Sequence, residues 1–454
     1  MASHPLTRLR LAAGLPHPAY ARLIADTHAL LGHGTMAARR EKVSRWESGR
    51  VTPDVTTQLA IAHVHRIPEE FVHQLGWPHW LYLATDDAPL LEEPWNTDGA
   101  VEIARQIVAA DRAPVRDHLA VTGPALRILA ARALAALACP APAPTHSPGL
   151  PPLDPQLLDG AEARLRQLEV PEWAPHQAPT AAPPLTPAAL LAAATAEHRF
   201  AVHLATRTNH HAATGERLLV LLRRTATLCA ILCSSTGEEG RAEWYGLAAL
   251  RAATASRAPH HVATAFSHLA LRHLSAGEPA DVLFLLDTAR SLMTDPSHHF
   301  TASLHAKEAV ARACRGDTAE SLQALDRADR AAALAGNAVC PYGEHIDEQK
   351  MLFGRAKVWK ELGDPRRALT GFAPLTALID TQAHMSPQTA FRLLQPIDAQ
   401  LALNDLDAAA QVLQQAVTLT GILPTGLTRQ YRQRFTPHSD HRLIASLWPF
   451  LTTA

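Results

Sequence analysis

The sequence predicts an all-α protein, and three observations support this prediction. Alanine, the strongest helix former, is abundant in the 454-residue chain, whereas aromatic residues make up only 5% of it. No segment shows the alternating apolar pattern of a half-buried strand. From about residue 188, apolar residues recur at helical spacing nearly to the end of the printed sequence.

Length and charge limit the classes of function. A chain of 454 residues is long enough for two to four domains with full cores. A net charge of −1 argues against a general nucleic-acid coat protein. The charge is uneven, however: residues 1–50 hold eight Arg or Lys against three acids, and residues 51–100 hold one Arg against eight acids. A local basic segment of this kind is what contacts to nucleic-acid phosphates require.

Cysteine usage and hydropathy predict a cytoplasmic protein that does not enter a membrane. The five cysteines have no Cys-x-x-Cys pair and no regular spacing, which suits a reducing compartment better than a disulfide framework. No N-terminal apolar run resembles a signal peptide, and we expect no apolar stretch of 18 residues that could span a membrane.

The segment from Arg39 to Arg50 is the most informative part of the chain. Helical spacing places buried-type residues on one side and polar residues on the other: Val43, Trp46 and Glu47 against Arg40, Glu41, Ser44 and Arg45. Gly49 ends this helix, and Pro53 with Asp54 begins the next one. Such a helix suits the DNA major groove, where arginine reads guanine edges. The alternative is a short amphipathic helix of any helical domain.

The run Val43-Ser44-Arg45-Trp46-Glu47-Ser48-Gly49-Arg50, followed by Pro53, resembles the recognition helix of the phage-repressor-like (XRE) helix-turn-helix family. The stretch from Leu9 to about Trp80 resembles the N-terminal domains of actinobacterial regulators with a tetratricopeptide-like C-terminal half. The connection His33 to Ala38 is longer than the tight turn of this family. The helices that flank the recognition helix fit as about Leu6 to Ala13, His17 to Leu31, Asp54 to His65 and Pro68 to Leu75.

The resemblance assigns roles to the residues around the recognition helix. Base edges are expected to meet Arg40, Glu41, Ser44 and Arg45, and phosphates to meet Arg39, Lys42 and Arg50. Val43 and Trp46 are expected in the core. In the family the acid at the position of Glu47 pairs with an arginine of the first helix, which implies Arg10 here.

Four domains are predicted, divided by composition. They are a helix-turn-helix domain at 1–85, a helical connector at 95–138, a linker at 139–187 and a helical repeat domain at 188–450. The linker segment contains 13 of the 34 prolines, so it is expected to be semi-rigid, with one short helix at about Gln156 to Val170.

The last domain repeats itself. Four turns align at Gly277-Glu278, Gly316-Asp317, Gly363-Asp364 and Asn404-Asp405, spaced 39, 47 and 41 residues apart. Small or apolar residues recur six, nine and twelve residues after the first residue of each turn. This resembles degenerate tetratricopeptide repeats, which stack and leave a concave surface. Earlier helices at about Leu190–Thr206, Glu216–Cys233 and Ala242–Ser256 are expected to extend the stack.

The sequence contains no convincing motif for a metal site or a catalytic site. The adjacent histidine pairs His210-His211, His260-His261 and His298-His299 are poor chelates, because neighbouring helical residues diverge. Cys229 and Cys233 lack a second nearby pair and are expected to be buried in a core. No motif for a phosphate-binding loop, a zinc protease or a serine hydrolase occurs. We therefore expect no enzyme activity, no metal and no cofactor.

The sequence favours a sequence-specific transcriptional regulator that binds double-stranded DNA and whose helical repeats sense a peptide, small molecule or protein. A homodimer is expected, because one recognition helix reads only about half a turn of groove. The alternative is an interaction scaffold with a degenerate DNA-binding domain. Residues of the concave surface could contact an effector or serve only in packing: Trp244, Tyr245, Arg251, His260, His305, Lys307, Tyr342 and Arg355.

Overall fold

The structure is a computed structural model, and all of its regular elements in the described residues are helices. It describes residues 4–85, 90, 92–110, 119–139, 150–173, 187–209, 211–336, 346–379, 387–420 and 423–452. In this part of the chain the only bridge of β type joins Pro152 to Asn209. The predicted all-α fold class is therefore confirmed.

The helices follow one another closely along the chain. The first eleven are α1 (Pro5–Ala12), α2 (His17–Leu30), α3 (Arg40–Glu47), α4 (Val55–Val64), α5 (Glu69–Leu75), α6 (Thr97–Ala110), α7 (Gly123–Ala138), α8 (Pro155–Trp173), α9 (Pro187–Arg207), α10 (Ala212–Ser235) and α11 (Glu239–Ala255). The others are α12 (Pro259–Ala276), α13 (Pro279–Ser291), α14 (His298–Cys314), α15 (Thr318–Ala335), α16 (Glu348–Glu361), α17 (Pro365–Ile379), α18 (Pro387–Arg392), α19 (Leu394–Ala402), α20 (Leu406–Thr420), α21 (Thr425–Phe435) and α22 (Arg442–Thr452).

The chain forms two compact units whose boundaries differ from the predicted domains. The first unit combines Met1–Trp95 with Asp117–Ala136, and the second combines Asn96–Arg116 with Leu137–Ala454. The segment predicted as one connector is thus divided, with most of α7 in the first unit and α6 in the second. The described part of the predicted linker, including α8, belongs to the second unit.

The first unit contains the predicted helices with small shifts of their ends. The bounds of α1, α2, α4 and α5 lie within one residue of the predicted ones. Asp54 caps α4, because its carboxylate accepts a hydrogen bond from the Thr57 amide at 2.8 Å. The core of this unit includes six fully enclosed side chains, two of them from α2: Leu6, Tyr20, Ile24, Val43, Ile61 and Trp80.

The second unit is built mainly from pairs of helices joined by tight turns. The pairs α10–α11, α12–α13, α14–α15, α16–α17 and α19–α20 each pack together. The first helices of successive pairs also touch, α10 with α12, α12 with α14, and α14 with α16. An apolar face of one pair is therefore covered by the next pair, as in stacked helical arrays.

The four predicted turns all join paired helices, and a fifth turn at Gly237-Glu238 was not predicted. Four of the five share one cap: at Gly316, for example, its amide donates to Ala313 O at 2.9 Å and the Asp317 amide donates to Arg312 O at 3.0 Å. This pattern needs a left-handed residue, and φ is +78° at Gly237, +80° at Gly316, +82° at Gly363 and +57° at Asn404. Gly277 does not have a left-handed backbone, and glycine is needed there for a different reason. A Cβ atom at this position would lie 2.6 Å from His273 Nδ1.

One of the three recurring positions of the predicted repeats is displaced by one residue, whereas the residues nine positions after the turns are all buried. Six residues after the turns, Leu283, Leu322 and Leu369 are only half-buried, and Ala410 alone is buried. The residues five positions after the turns are all buried instead, and these are Val282, Ser321, Ala368 and Ala409. Positions five, nine and twelve share one helix face at 3.6 residues per turn, whereas position six is rotated by about 100°.

The helix predicted at about Gln156 to Val170 is confirmed as α8, and it is packed rather than isolated. It contacts α9 and α10. Ion pairs join Arg164 to Glu197 and Arg217 to Asp159, each at 2.6 Å. Leu158 and Leu165 are fully buried on its inner face. The rest of the predicted linker, at 140–149 and 174–186, lies outside the described residues.

The C-terminal helices of the second unit return to its first pair. α18 contacts α10, and Gly426 at the start of α21 lies against the turn between α10 and α11. A Cβ atom on Gly426 would lie 2.5 Å from Thr236 O and 2.8 Å from the carbonyl carbon of Gly237. The close approach of two glycines therefore joins residues far apart in the sequence.

One described helix is long and apolar enough to cross a membrane by composition alone, which the sequence analysis did not expect. It is α10, where 18 residues have a mean hydropathy of 1.6. Within the second unit, 78% of that window is buried against other helices. This burial is what a core helix of a folded domain shows.

Candidate nucleic-acid interface

The candidate recognition helix, α3, is short and has a defined end. It begins after Arg39, whose backbone is extended, and it ends at a glycine cap. Gly49 has φ +70°, its amide donates to Trp46 O, and the Arg50 amide donates to Arg45 O, both at 3.1 Å. This double hydrogen bond satisfies carbonyl groups that a helix end otherwise leaves open. The chain therefore turns sharply at Gly49 and leaves α3 eight residues long.

The two faces of α3 differ as the sequence predicted. Val43 is fully buried and Trp46 is 5% exposed, so the apolar side is part of the core. The side chains predicted to meet DNA lie mostly on the surface: Arg39, Arg40, Glu41, Ser44, Arg45 and Arg50 are exposed, and Lys42 is half-buried. The helix thus presents a polar face that carries several cations.

Glu47 anchors the end of α3 to α1, and the predicted pairing with Arg10 is confirmed. Arg10 Nε lies 2.6 Å from Glu47 Oε1, and Arg10 Nη2 lies 3.2 Å from Oε2. Arg10 Nη1 donates a third hydrogen bond to Leu15 O at 2.8 Å. His17 at the start of α2 adds a contact that the sequence did not predict, with its Nε2 2.9 Å from Glu47 Oε2.

The surroundings of Glu47 keep it ionised. Burial opposes the charged form, but the hydrogen bonds from Arg10 and His17 outweigh it and hold the pKa of Glu47 below its ordinary value. Both members of the ion pair have side chains less than 10% exposed, at 6% for Arg10 and 9% for Glu47. A charged anchor of three helices therefore lies behind the polar face of α3.

The long connection between α2 and α3 is attached to α4 through His28, a residue with no predicted role. The buried His28 ring places Nδ1 2.8 Å from Gly34 O and Nε2 3.1 Å from Thr56 Oγ1. At the other end of α2, Tyr20 Oη lies 2.8 Å from His65 Nε2. These two contacts place α2 and α4 side by side in opposite directions, which fixes the frame that carries α3.

Two of the residues predicted to read bases interact with each other in the free protein. Arg40 Nε lies 3.0 Å from Glu41 Oε1, and both side chains are exposed. The backbone amide of Glu41 and the Arg40 guanidinium lower the pKa of this carboxyl. An exposed pair of this kind is weak and exchanges readily for other partners. Arg40 and Glu41 can therefore separate when another surface supplies hydrogen-bonding groups.

The residues suggested for the concave surface differ in burial and in their contacts within the second unit. Tyr245 and Arg251 are buried, as expected for packing residues. Lys307 Nζ donates to Ser267 Oγ at 2.6 Å, and Arg355 pairs with Asp329 at 2.7 Å. Tyr342 lies outside the described residues.

The described cysteine and histidine side chains that were considered as metal ligands are not grouped around a common point. Cys229 and Cys233 are buried in α10, as predicted. The rings of His260 and His261 lie 4.2 Å apart between centroids. Among the described residues, no group of three or more His, Cys, Asp or Glu side chains is arranged to hold a metal ion.

Comparisons with protein-family models, with curated proteins and with solved structures found no match for this chain. The description of the candidate interface therefore depends on its geometry: an exposed polar face on α3, a buried apolar face, and an ionic anchor through Glu47.

Proposed function

We propose that the protein is a sequence-specific DNA-binding transcriptional regulator of the phage-repressor-like helix-turn-helix type. The observation that carries this proposal is the asymmetry of α3, which buries Val43 and Trp46 and exposes Arg40, Ser44 and Arg45. The ion pair between Glu47 and Arg10 supports it, because it holds the exposed face in a fixed orientation before DNA binds.

The dimensions of α3 are compatible with the major groove. Eight helical residues have a length of about 12 Å, which is close to the groove width. Arginine side chains such as Arg40 and Arg45 can donate two hydrogen bonds to one guanine edge. Arg39, Lys42 and Arg50 lie near the two ends of the helix, where phosphates pass a bound helix.

We extend the proposal to the oligomeric state of the protein and to the role of its second unit. A cytoplasmic homodimer would place two α3 helices on paired half-sites about one helical turn apart. The stacked pairs from α10 to α17 would act as a tetratricopeptide-like sensor for a peptide, small molecule or protein. Binding of that effector would change how the two DNA-binding units are presented.

A scaffold for protein interactions is the second candidate, and the stacked helix pairs of the second unit favour it. In such a protein the first unit would have lost its affinity for DNA. The two candidates differ in their response to salt, because DNA binding through phosphates weakens as counterions compete.

Selection of DNA fragments by the purified full-length chain tests the proposal. We expect enrichment of one sequence motif, with an affinity that falls linearly on a log–log plot against salt concentration. An Arg45→Ala variant provides the matched control, because its side chain is exposed and its loss should spare the core. Failure to enrich any sequence at about 50 mM salt, a concentration at which phosphate contacts are strong, would favour the scaffold instead.

A further inference from the structure

Glu308 on α14 is surrounded by cationic side chains from three helices. Its Oε1 lies 3.0 Å from Arg312 Nε and 3.2 Å from Arg327 Nη2. Its Oε2 lies 3.0 Å from Arg290 Nη2 and 3.2 Å from His305 Nδ1. These five residues, from α13, α14 and α15, are called the Glu308 cluster below.

The carboxylate at the centre of the cluster has its hydrogen-bonding capacity filled. Each oxygen has two nitrogen partners, and the side chain is only 8% exposed. Burial opposes ionisation, but the hydrogen bonds from His305 and Arg312 and the nearby arginine charges hold the pKa of Glu308 at about 2. Glu308 is therefore an anion at neutral pH, and it fixes the positions of the guanidinium groups around it.

The cluster has more positive charge than its buried carboxylate can neutralise. Three guanidinium groups face one carboxylate, and Arg290 also contacts Asp287, which is 73% exposed. Arg312 and Arg327 have no second acidic partner among the described residues. One arginine would suffice to neutralise Glu308, and additional like charges repel one another. Helix packing alone therefore does not account for the set.

The side chains of the three arginines are partly accessible to solvent. Their side chains are 39% exposed for Arg290, 30% for Arg312 and 37% for Arg327. Each guanidinium has five N–H donors, of which Glu308 occupies one on each arginine. Arg290 Nη1 also donates to Asp287 Oδ1 at 2.6 Å, and Arg327 Nε lies 3.4 Å from His305 Nδ1. The other donors of the three guanidinium groups are arranged around one buried carboxylate.

We propose that the Glu308 cluster binds a phosphoryl group. Guanidinium groups bind phosphate oxygens through paired, charge-assisted hydrogen bonds. A buried carboxylate that positions the arginines lowers the entropic cost of arranging them around the ligand. A phosphoryl anion would supply negative charge to the guanidinium groups, whose total positive charge exceeds the negative charge of Glu308 and Asp287 together.

The phosphoryl group could come from a small phosphorylated molecule or from a nucleic-acid backbone. Both sources offer the same oxygens to Arg312 and Arg327. The proposal does not depend on base recognition by α3, because the Glu308 cluster lies in the second unit. It can therefore be tested with the full-length chain without an operator sequence.

Calorimetric titration with inorganic pyrophosphate at constant ionic strength tests the first source. Arg312→Gln and Arg327→Gln each leave two guanidinium groups on Glu308, so its buried charge stays paired in both variants. We expect each variant to bind pyrophosphate at least tenfold more weakly than the parent. Arg366→Gln is the matched control, because Arg366 is exposed on α17 outside the cluster, and it should bind like the parent. Circular dichroism checks that all variants remain folded.

A titration with a duplex of arbitrary sequence tests the second source. If pyrophosphate does not bind, but the two cluster variants lose affinity for the duplex and Arg366→Gln does not, the phosphoryl group belongs to a nucleic-acid backbone. If the parent binds neither probe, or if Arg312→Gln and Arg327→Gln bind both probes as the parent does, the cluster has only a structural role and the proposal is wrong.

Discussion

Arg10 and Glu47 form a buried, two-point ion pair that joins α1 to the end of α3. The two N–O distances are 2.6 Å and 3.2 Å. The same guanidinium donates to Leu15 O in the turn between α1 and α2. One side chain thus connects three elements of the first unit, and the orientation of the exposed face of α3 depends on it.

Glu47→Ala should destabilise the first unit more than Glu41→Ala. Removal of one member of a buried pair leaves an uncompensated charge on Arg10, and such changes cost about 3 kcal/mol or more. Glu41 is exposed and pairs with the exposed Arg40, so its loss should leave stability nearly unchanged. Urea unfolding of the full-length variants measures the difference, and hydrogen exchange at the amides of α1 and α3 locates it. Equal protection in both variants would contradict the anchoring role.

The sequence allowed the Arg10–Glu47 pair to be predicted, but not the other contacts that support α3. The pairing followed from the resemblance of the segment around Glu47 to a known motif. The contacts of His17 with Glu47 and of His28 with Gly34 and Thr56 depend on how the long loop after α2 approaches α4. Histidine is common in this chain, so its presence alone gave no signal.

Among the turns that join the helix pairs, some could be recognised from the sequence and one could not. The turns at Gly316 and Gly363 could be recognised because their caps need residues that tolerate a left-handed backbone. The turn at Gly237 was missed because the charged residue Glu243 follows six positions later. In the structure Glu243 is buried, so polarity concealed its place in the core. Burial of a polar residue depends on partners that are distant in the sequence.

Arg45 and Arg50 should contribute to DNA binding in different ways. Arg45 lies on the exposed face in the last turn of α3, so Arg45→Ala should weaken binding to the preferred site by about 1–3 kcal/mol and relax preference at one base pair. Arg50 follows the glycine cap, where a phosphate contact is expected. Its replacement by Ala should weaken binding to all sequences alike and reduce the salt slope by about one unit.

Fluorescence anisotropy with selected and scrambled duplexes over a range of salt concentrations measures both effects. The Arg366→Ala variant controls for the loss of one positive charge, because Arg366 is exposed on α17, outside the candidate interface. If both arginine variants bind the two duplexes as the parent does, α3 is not a recognition helix.

His198 should make the second unit less stable in mild acid. Burial lowers the pKa of His198 from 6.5 to about 4, and its Nδ1 lies 2.9 Å from Thr225 Oγ1. The unfolded chain binds a proton at this residue below about pH 6.5, whereas the folded chain does not. The contribution of neutral His198 to the free energy of unfolding is therefore complete above pH 6.5, and it is lost as the pH falls towards 4.

His198→Gln should reduce this pH dependence, because Gln can still hydrogen-bond to Thr225 but does not titrate. Between pH 7 and pH 5 the parent should lose about 2 kcal/mol more stability than the variant. Urea unfolding at the two pH values measures the difference, and contributions from other groups cancel in the comparison. Parallel losses in the two proteins would show that His198 is not the responsible group.

Gly426 and Gly354 should respond oppositely to replacement by alanine. A Cβ atom on Gly426 would clash with Thr236 O at 2.5 Å, so Gly426→Ala should destabilise the second unit by about 1–3 kcal/mol. Apart from its chain neighbours and the backbone of its own helix, no atom of the described residues lies within 4 Å of a Cβ atom on Gly354 in α16. Gly354→Ala should therefore stabilise the protein by about 0.5–1 kcal/mol through helix propensity. Thermal unfolding of both variants measures whether each substitution raises or lowers stability. An unchanged stability of Gly426→Ala would contradict the close contact.

The position at which a stable C-terminal fragment begins distinguishes a linker from a packed helix at α8. The proline-rich composition predicted a fragment that begins near residue 188. The structure instead attaches α8 to α9 and α10 through Arg164–Glu197 and Arg217–Asp159. A fragment 150–454 should therefore melt at a higher temperature than a fragment 188–454, which exposes the apolar surface that α8 covers.

A variant of the longer fragment separates packing from chain length. Leu158 and Leu165 are fully buried on α8, and each Leu→Ala change in a core costs about 2–5 kcal/mol. The double variant of fragment 150–454 should therefore melt close to fragment 188–454, because α8 would lose its hold on the helices beside it. Far-UV circular dichroism during heating measures all three melting temperatures. If the two unmodified fragments melt together, α8 adds no stability and the linker interpretation of residues 139–187 is correct.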